Sequence, residues 1–263
     1  MLRHPGGSSE VNVLGTRVSP LGLTDVLDRI EQAAAAGSKS IFDYSNTHSL
    51  NTAYETTWLR DFYNQCEVVF CDGAGVKLAA WLLREPIPER FSPPDWITGL
   101  TRQAADNKQT IFLLGGKDGV AKKAAEVLIA KTPGLEIVGT YHGYFDKRRD
   151  NPANQAVVEL INRAAPDILI VGFGIPLQER WILENKSNLQ VGVFLAAGAL
   201  FDYISGEMRR APRWMTDNGL EWLARLVAEP RRLWRRYVIG IPLFFIRVIG
   251  QRFGLLPNLR SET

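Results

Sequence analysis

A chain of 263 residues, 46% hydrophobic, 22% charged and 10% aromatic, has the balance of a folded protein with one substantial core, which excludes a disordered or low-complexity chain. The net charge of +3 hides an asymmetry: from residue 207 onward eleven arginines face five acids, so the tail is +6 and the first 206 residues are −3. That division points to a polyanionic partner for the tail. Two cysteines, Cys66 and Cys71, are too few for a disulfide framework and fit a reduced compartment. The amino-terminal MLRHPGGSSE has no apolar stretch, so a secretory signal is not expected there.

In chain order, residues 11–18 predict a hairpin or edge strand. Short apolar, β-branched runs then predict strands over 40–44, 68–71, 110–114, 137–140, 168–171 and 191–195. Helical patterns lie between them at 25–36, 50–64, 75–83, 120–131 and 154–164. Alternation of this kind predicts an α/β fold, a Rossmann-like parallel sheet covered on both faces. After residue 206 strands cease and Trp214, Trp222 and Trp234 lie among arginines. The expected organisation is an α/β core over 1–206 and a helical, Arg-rich, membrane-associating appendage over 207–263. Pro230 suits the first turn of a helix, and Pro242 should kink or end that helix. The apolar run 237–246 is too short to span a bilayer.

Ligands of a parallel sheet bind beyond the carboxyl ends of its strands, so the residues following each strand are the candidates. Asp72-Gly73-Ala74-Gly75 follows the strand at 68–71; Asp72 is either an acid projected into a cleft or a helix N-cap. Gly115-Gly116-Lys117-Asp118-Gly119 precedes a helix and is either a phosphate turn or a plain tight turn; it has neither the dinucleotide nor the Walker spacing. Gln178 and Glu179 close a Gly-Phe-Gly-Ile-Pro-Leu loop. The Gln178 amide suits a ligand, and Glu179 also suits a first helical turn. Asn46 and His48 follow the strand at 40–44, where a capping role competes with a binding one. Arg90 stands on a Pro-rich connection with few structural reasons to be there, and its planar fork suits a diphosphate. The three histidines, 4, 48 and 142, are scattered, so no metal site and no tightly held cofactor are expected. Arg231, Arg232, Arg235 and Arg236 alternate with Trp234 and precede the apolar stretch 238–246. They read as a membrane-surface element rather than a nucleic-acid one, at ~1 kcal/mol per basic residue near an anionic leaflet.

The strings CDGAGVKLAAWLL, FLLGGKDGVAKKAAEVL, GTYHGYF, PDILIVGFGIPLQERWI and RRAPRWMTDNGLEWLARLVAEPRRLWRRY resemble the WecG/TagA/CpsF glycosyltransferases, glycosyltransferase family 26, over residues 11–240. The resemblance implies an inverting, nucleotide-sugar-dependent hexosyltransferase working on a polyprenyl-diphosphate-linked saccharide at the cytoplasmic face of the inner membrane. It assigns Asp72 as catalytic base and Asn46, Arg90 and Gln178 as substrate-binding; the loop readings add Gly115, Gly116 and Glu179 to the substrate-binding candidates. It also brings Arg209, Arg210, Arg213 and Arg225 of the tail into the site. The chain departs from many members at Tyr44-Ser45 and at Arg90-Phe91-Ser92-Pro93-Pro94-Asp95. The string Tyr-Ser-Asn-Thr-His-Ser-Leu-Asn is closer to the xanthan-type glucosyltransferase branch. The expectation is therefore transfer of glucose from UDP-glucose onto a glucosyl-diphosphate-polyprenol in exopolysaccharide synthesis. The alternative is transfer of N-acetylmannosamine or its uronic acid onto a lipid-linked amino sugar. A non-catalytic nucleotide-sugar or nucleic-acid binder is the rival outside enzymes. Oligomeric state stays open, a homo-oligomer included.

Overall fold

The structure, a computed structural model, describes residues 10–256. Residues 1–9 of the amino-terminal stretch, with His4, and Arg260 and Glu262 of the tail count lie outside the described residues.

The first element is a hairpin, β1 (Val11–Val13) and β2 (Thr16–Val18), paired antiparallel. Its two-residue turn, Leu14-Gly15, has positive φ at both positions (55° and 86°), as the twist of a tight hairpin demands. Leu14 tolerates that conformation because its side chain is buried and its N–H donates to Gln251 Oε1 at 2.7 Å.

Six further strands are β3 (Ser40–Ser45), β4 (Val68–Cys71), β5 (Thr110–Gly115), β6 (Glu136–Tyr141), β7 (Ile168–Gly172) and β8 (Val193–Ala196). They form one parallel sheet in the order β4-β3-β8-β7-β5-β6. β4, β7 and β8 are buried at every position, which is why they read as continuous apolar runs; edge strand β6 is only part-buried. The helices before the tail are α1 (Leu23–Ala36), α2 (Thr47–Glu55), α3 (Thr57–Gln65), α4 (Ala74–Leu82), α5 (Pro93–Asp106), α6 (Val120–Lys131), α7 (Pro152–Ala164), α8 (Leu177–Asn185) and α9 (Leu200–Ser205). The helix expected over 50–64 is two helices, broken at Thr56, whose backbone is extended. Buried Leu50 and Ala53 are followed by Leu59, Phe62 and Tyr63; the six-residue step between the sets breaks the 3.6 period, and the bend resets the phase.

In the tail, α10 (Arg213–Asp217), α11 (Glu221–Ala228) and α12 (Pro230–Trp234) lead through a π-helical turn, Arg235–Ile239, into α13 (Gly240–Arg252). Pro230 occupies the first helical turn as expected. Pro242 does not end the helix: the ladder widens ahead of it, with Gly240 N–H donating back to Arg235 O, and a ring without an N–H is accommodated by such local rewinding.

The described chain forms two compact units. One holds the chain up to Leu23, Tyr44–Ser92 and everything from Arg210 on; the other holds Thr24–Asp43 and Pro93–Arg209. This division differs from the expected boundary at 206/207. Within the first unit, Phe244 and Val248 of α13 are fully buried with Val11, Val13, Leu50 and Val76. Arg247 reinforces that seating, pairing with Glu55 at 2.5 Å, donating to Asn51 Oδ1 at 3.1 Å and lying over the Tyr54 ring. The stretch 238–246, expected as an insertion element, thus gives one face to the core, while Val238, Ile239 and Ile246 stay exposed. No helix among the described residues is long and apolar enough to cross a membrane.

Candidate active site

The first unit gathers a set of charged groups at the carboxyl ends of β3 and β4. Asp72 directly follows β4, and its N–H donates to Ser45 O at 2.8 Å, continuing the pairing past the last strand residue. Ser45 Oγ donates to Phe70 O at 3.1 Å. Gly73 (φ 106°), not Asp72, occupies the N-cap of α4, and no side chain caps that helix. The capping alternative for Asp72 therefore falls away. Two glycines flank the turn for separate reasons. Gly73 supplies the positive φ that turns the chain off the strand, and a Cβ on Gly75 would collide with Thr47 Cγ2.

Asn46 does both things expected of it. Its Oδ1 accepts from His48 N (3.1 Å) and Ser49 N (3.0 Å), and Ser49 Oγ accepts from Asn46 N (2.9 Å), a full capping box for α2. With Oδ1 so committed, the amide also hydrogen-bonds the Asp72 carboxylate. Asp72 keeps some exposure as a residue, yet protein atoms enclose its carboxylate. That burial is the largest cause of a pKa raised to about 7; Glu221 pushes the same way, and Arg225, Arg236 and the Asn46 bond oppose it. A carboxyl near 7 is part-ionised at neutral pH and, once ionised, more basic than an ordinary carboxylate, the condition for a general base.

Arg236 was expected at the membrane surface and lies instead in the field of Asp72, Arg225 and Tyr44. Its Nε is buried with no hydrogen-bond partner among the described residues. An arginine held this way, pulled down from its usual range first by burial, is costly without an anion to meet it. The same cation, after burial, lowers His48 to about 4, so the imidazole is neutral near pH 7. Arg231, Arg232, Trp234 and Arg235 are exposed as expected. Arg232 pairs with Glu229 at 2.5 Å, and Arg235 lies over the Trp234 ring.

Arg90 does have structural partners: its Nη2 donates to the carbonyls of Thr216 and Asp217. Arg210 Nη2 donates to Ser92 Oγ at 3.2 Å, and Arg213 is exposed on α10. Cys71 is free and buried, and burial pushes its thiol up to about 12, an inert filler beside Asp72.

The remaining candidates belong to the second unit. Gly115 cannot carry a side chain because a Cβ would strike the Gly172 carbonyl, and Gly116 N–H donates to that carbonyl at 3.3 Å. Close strand packing thus explains Gly115, while Gly116 is explained by its φ of 68° and by Val120, whose Cγ1 would lie 2.9 Å from a Cβ there. Gln178 is fully buried; its Oε1 accepts from Gly174 N (3.2 Å) and Gly198 N (3.0 Å), and its Nε2 donates to Glu179 Oε1 (2.8 Å). It braces the turns after β7 and β8, where a ligand contact was expected. Glu179, also fully buried, sits in the first turn of α8, and Arg209 is exposed. Gln178→Ala should destabilise the fold by about 2–4 kcal/mol, since two part-buried N–H groups lose their acceptor and a cavity opens. Urea unfolding checks this; a loss below about 1 kcal/mol would show that the brace is dispensable.

Comparison with known proteins bears directly on this constellation. A family model described as the glycosyl transferase WecG/TagA/CpsF family matches residues 11–257. The chain belongs to that family. It is 31% identical over 191 residues, 73% of this chain and 72% of the relative, to an N-acetylglucosaminyldiphosphoundecaprenol N-acetyl-beta-D-mannosaminyltransferase of Bacillus subtilis (strain 168). A protein of the same name from Staphylococcus aureus (strain NCTC 8325 / PS 47) is 26% identical over 251 residues, 92% of each chain. This glycosyltransferase therefore has the family's hexosyltransferase chemistry.

Two residues of the transferase's charged set escaped the sequence. Glu221 was counted only as one of five tail acids. Arg236 was placed with its surface neighbours because four arginines at helical spacing look alike until the π turn rotates one of them inward. The available signal was Tyr237, an apolar neighbour inside a basic run.

Proposed function

We propose that this transferase moves N-acetylmannosamine, or its uronic acid, from a UDP donor onto an amino sugar held on a polyprenyl diphosphate. The step is a single inverting displacement. Asp72 takes the proton of the acceptor hydroxyl as its oxygen attacks the anomeric carbon, the carbon–oxygen bond to UDP breaks, and UDP departs carrying the electron pair. Arg225 and Arg236 meet the growing charge on the diphosphate, a role in which fixed cations act most strongly when shielded from water. The observation that carries the reading is the Asp72 carboxylate, held by Asn46 at a strand end, flanked by two tail arginines and raised to about 7.

The names of both relatives favour an amino-sugar donor. The glucose expectation rested on the string 44–51 and on the departure at residues 90–95, and the family match lends no support to an exopolysaccharide role. A donor panel separates them. Purified protein is given UDP-N-acetylmannosamine, its uronic acid, UDP-N-acetylglucosamine or UDP-glucose, with synthetic N-acetylglucosaminyl- and glucosyl-diphosphate lipids, and products are weighed by mass spectrometry. A gain of one N-acetylhexosamine or its uronic acid on the amino-sugar lipid is expected. Hexose gained only by the glucosyl lipid would restore the glucose reading.

The same proposal places the enzyme peripherally on the cytoplasmic face of the inner membrane. Exposed Arg231, Arg235, Trp234, Val238 and Ile239 form the contact. Arg231→Gln with Arg235→Gln should weaken binding to anionic vesicles by about 2 kcal/mol, roughly thirtyfold. Sedimentation with vesicles tests it, and undiminished binding would remove these arginines from the contact.

A further inference from the structure

Arg90 has its guanidinium on backbone carbonyls, and its surroundings give that contact a purpose. The segment bearing it is fixed to the strand that leads into Asp72. Phe91 N–H donates to Cys71 O at 3.1 Å, and the Phe91 ring stacks on Phe70 with centroids 4.8 Å apart. From this base Arg90 Nη2 donates to Thr216 O, which also accepts from Gly219 N at 3.0 Å, and to Asp217 O at 3.2 Å, the carbonyl end of α10, where a cation suits the helix dipole. The turn that follows is seated as closely. Gly219 has φ 72°, and a Cβ on it would stand 2.5 Å from that of Ala74, the first residue of α4. Arg210 adds the hold on Ser92 Oγ. α11 begins two residues beyond Gly219, and its Glu221 and Arg225, four residues apart, share one helix face.

We propose that Arg90 is a positioning residue, a clasp that ties the α10 turn to the strand bearing Asp72 and so sets where α11 presents Glu221 and Arg225. Its guanidinium is engaged by the protein's own carbonyls, not by a substrate diphosphate. The catalytic half of this inference rests on Asp72 as the base; the placement half does not.

The test compares full-length wild type, Arg90→Met and Arg90→Lys by hydrogen–deuterium exchange and by steady-state kinetics. In Arg90→Met, amides over 213–228 should exchange about tenfold faster or more, while those of β4 and β5 keep their protection. Turnover should fall about 10–100-fold, as misplacement of a charged group does, with the donor KM within about twofold of wild type. Arg90→Lys should recover part of both effects, and it preserves the comparison if the methionine variant is unstable. Unchanged exchange over 213–228 together with a raised donor KM would overturn the clasp and return Arg90 to the substrate. Faster exchange with undiminished turnover would show that α11 placement is irrelevant to the reaction. Asp72→Asn assayed alongside keeps the two ideas separate: if it turns over normally the base assignment fails, while the exchange result still decides the clasp.

Discussion

Replacing Asp72 by asparagine is expected to lower turnover by about 10²–10⁴-fold, the usual worth of a general base, while UDP binding by calorimetry stays near wild type. Asparagine keeps the shape and can still accept from Asn46, so the loss isolates the proton-accepting step. The wild-type rate should rise with pH through about 7 and then level, because the carboxylate must be ionised and its pKa is raised to about 7; the residual rate of the variant should lack that limb. Stability supplies an independent check with a definite sign. A carboxyl raised from 3.8 to about 7 holds a proton in the folded state that the unfolded chain has already lost, so its contribution is present in acid and fades as pH climbs through that interval. At pH 8 the wild type carries an enclosed charge that Asp72→Asn lacks, and the variant should melt at a higher temperature. A variant that is inactive and also less stable at pH 8 would count against this placement of the carboxylate.

Removing Arg236 should produce the second large effect. Arg236→Gln takes away a part-buried cation whose buried Nε lacks a partner among the described residues and which would meet the departing diphosphate. A loss of about 10²–10³-fold in turnover is expected, the scale for one preorganised donor aimed at developing charge. Two titrations should move together. Arg236 holds Asp72 down against burial, so the acid limb of the rate profile should shift above 7. His48, depressed to about 4 by burial and then by Arg236, should titrate higher, which its ring signals in an NMR titration would show. Arg235→Gln, one residue earlier and exposed, should leave both titrations in place. Equal behaviour of the two variants would mean that the π turn does not direct Arg236 inward.

Arg90 and Gln178 show how much residue type leaves open without geometry. Each was assigned to a ligand because its functional groups suit one, and each spends them on the chain itself, on the carbonyls after α10 and on the amides of Gly174 and Gly198. A guanidinium that grips a diphosphate grips a helix end equally well.

The parallel sheet, the strand that delivers Asp72 and the positive-φ turn behind it were legible in the linear chain, since continuous apolar runs, the helical period and glycine's tolerance are local properties carried by neighbouring residues. The neighbourhood of Asp72 was not. Asn46 meets Asp72 because β3 lies beside β4, and Glu221 and Arg225 of α11 and Arg236 of the π-helical turn reach it across some 150 residues of sequence. Nor could the boundary at 207 be judged from composition: Phe244 and Val248 complete the core of the first unit, so a truncation there would remove core as well as charge. Burial and long-range pairing are set by the whole packed chain, and only folding decides which of several similar arginines lies near Asp72.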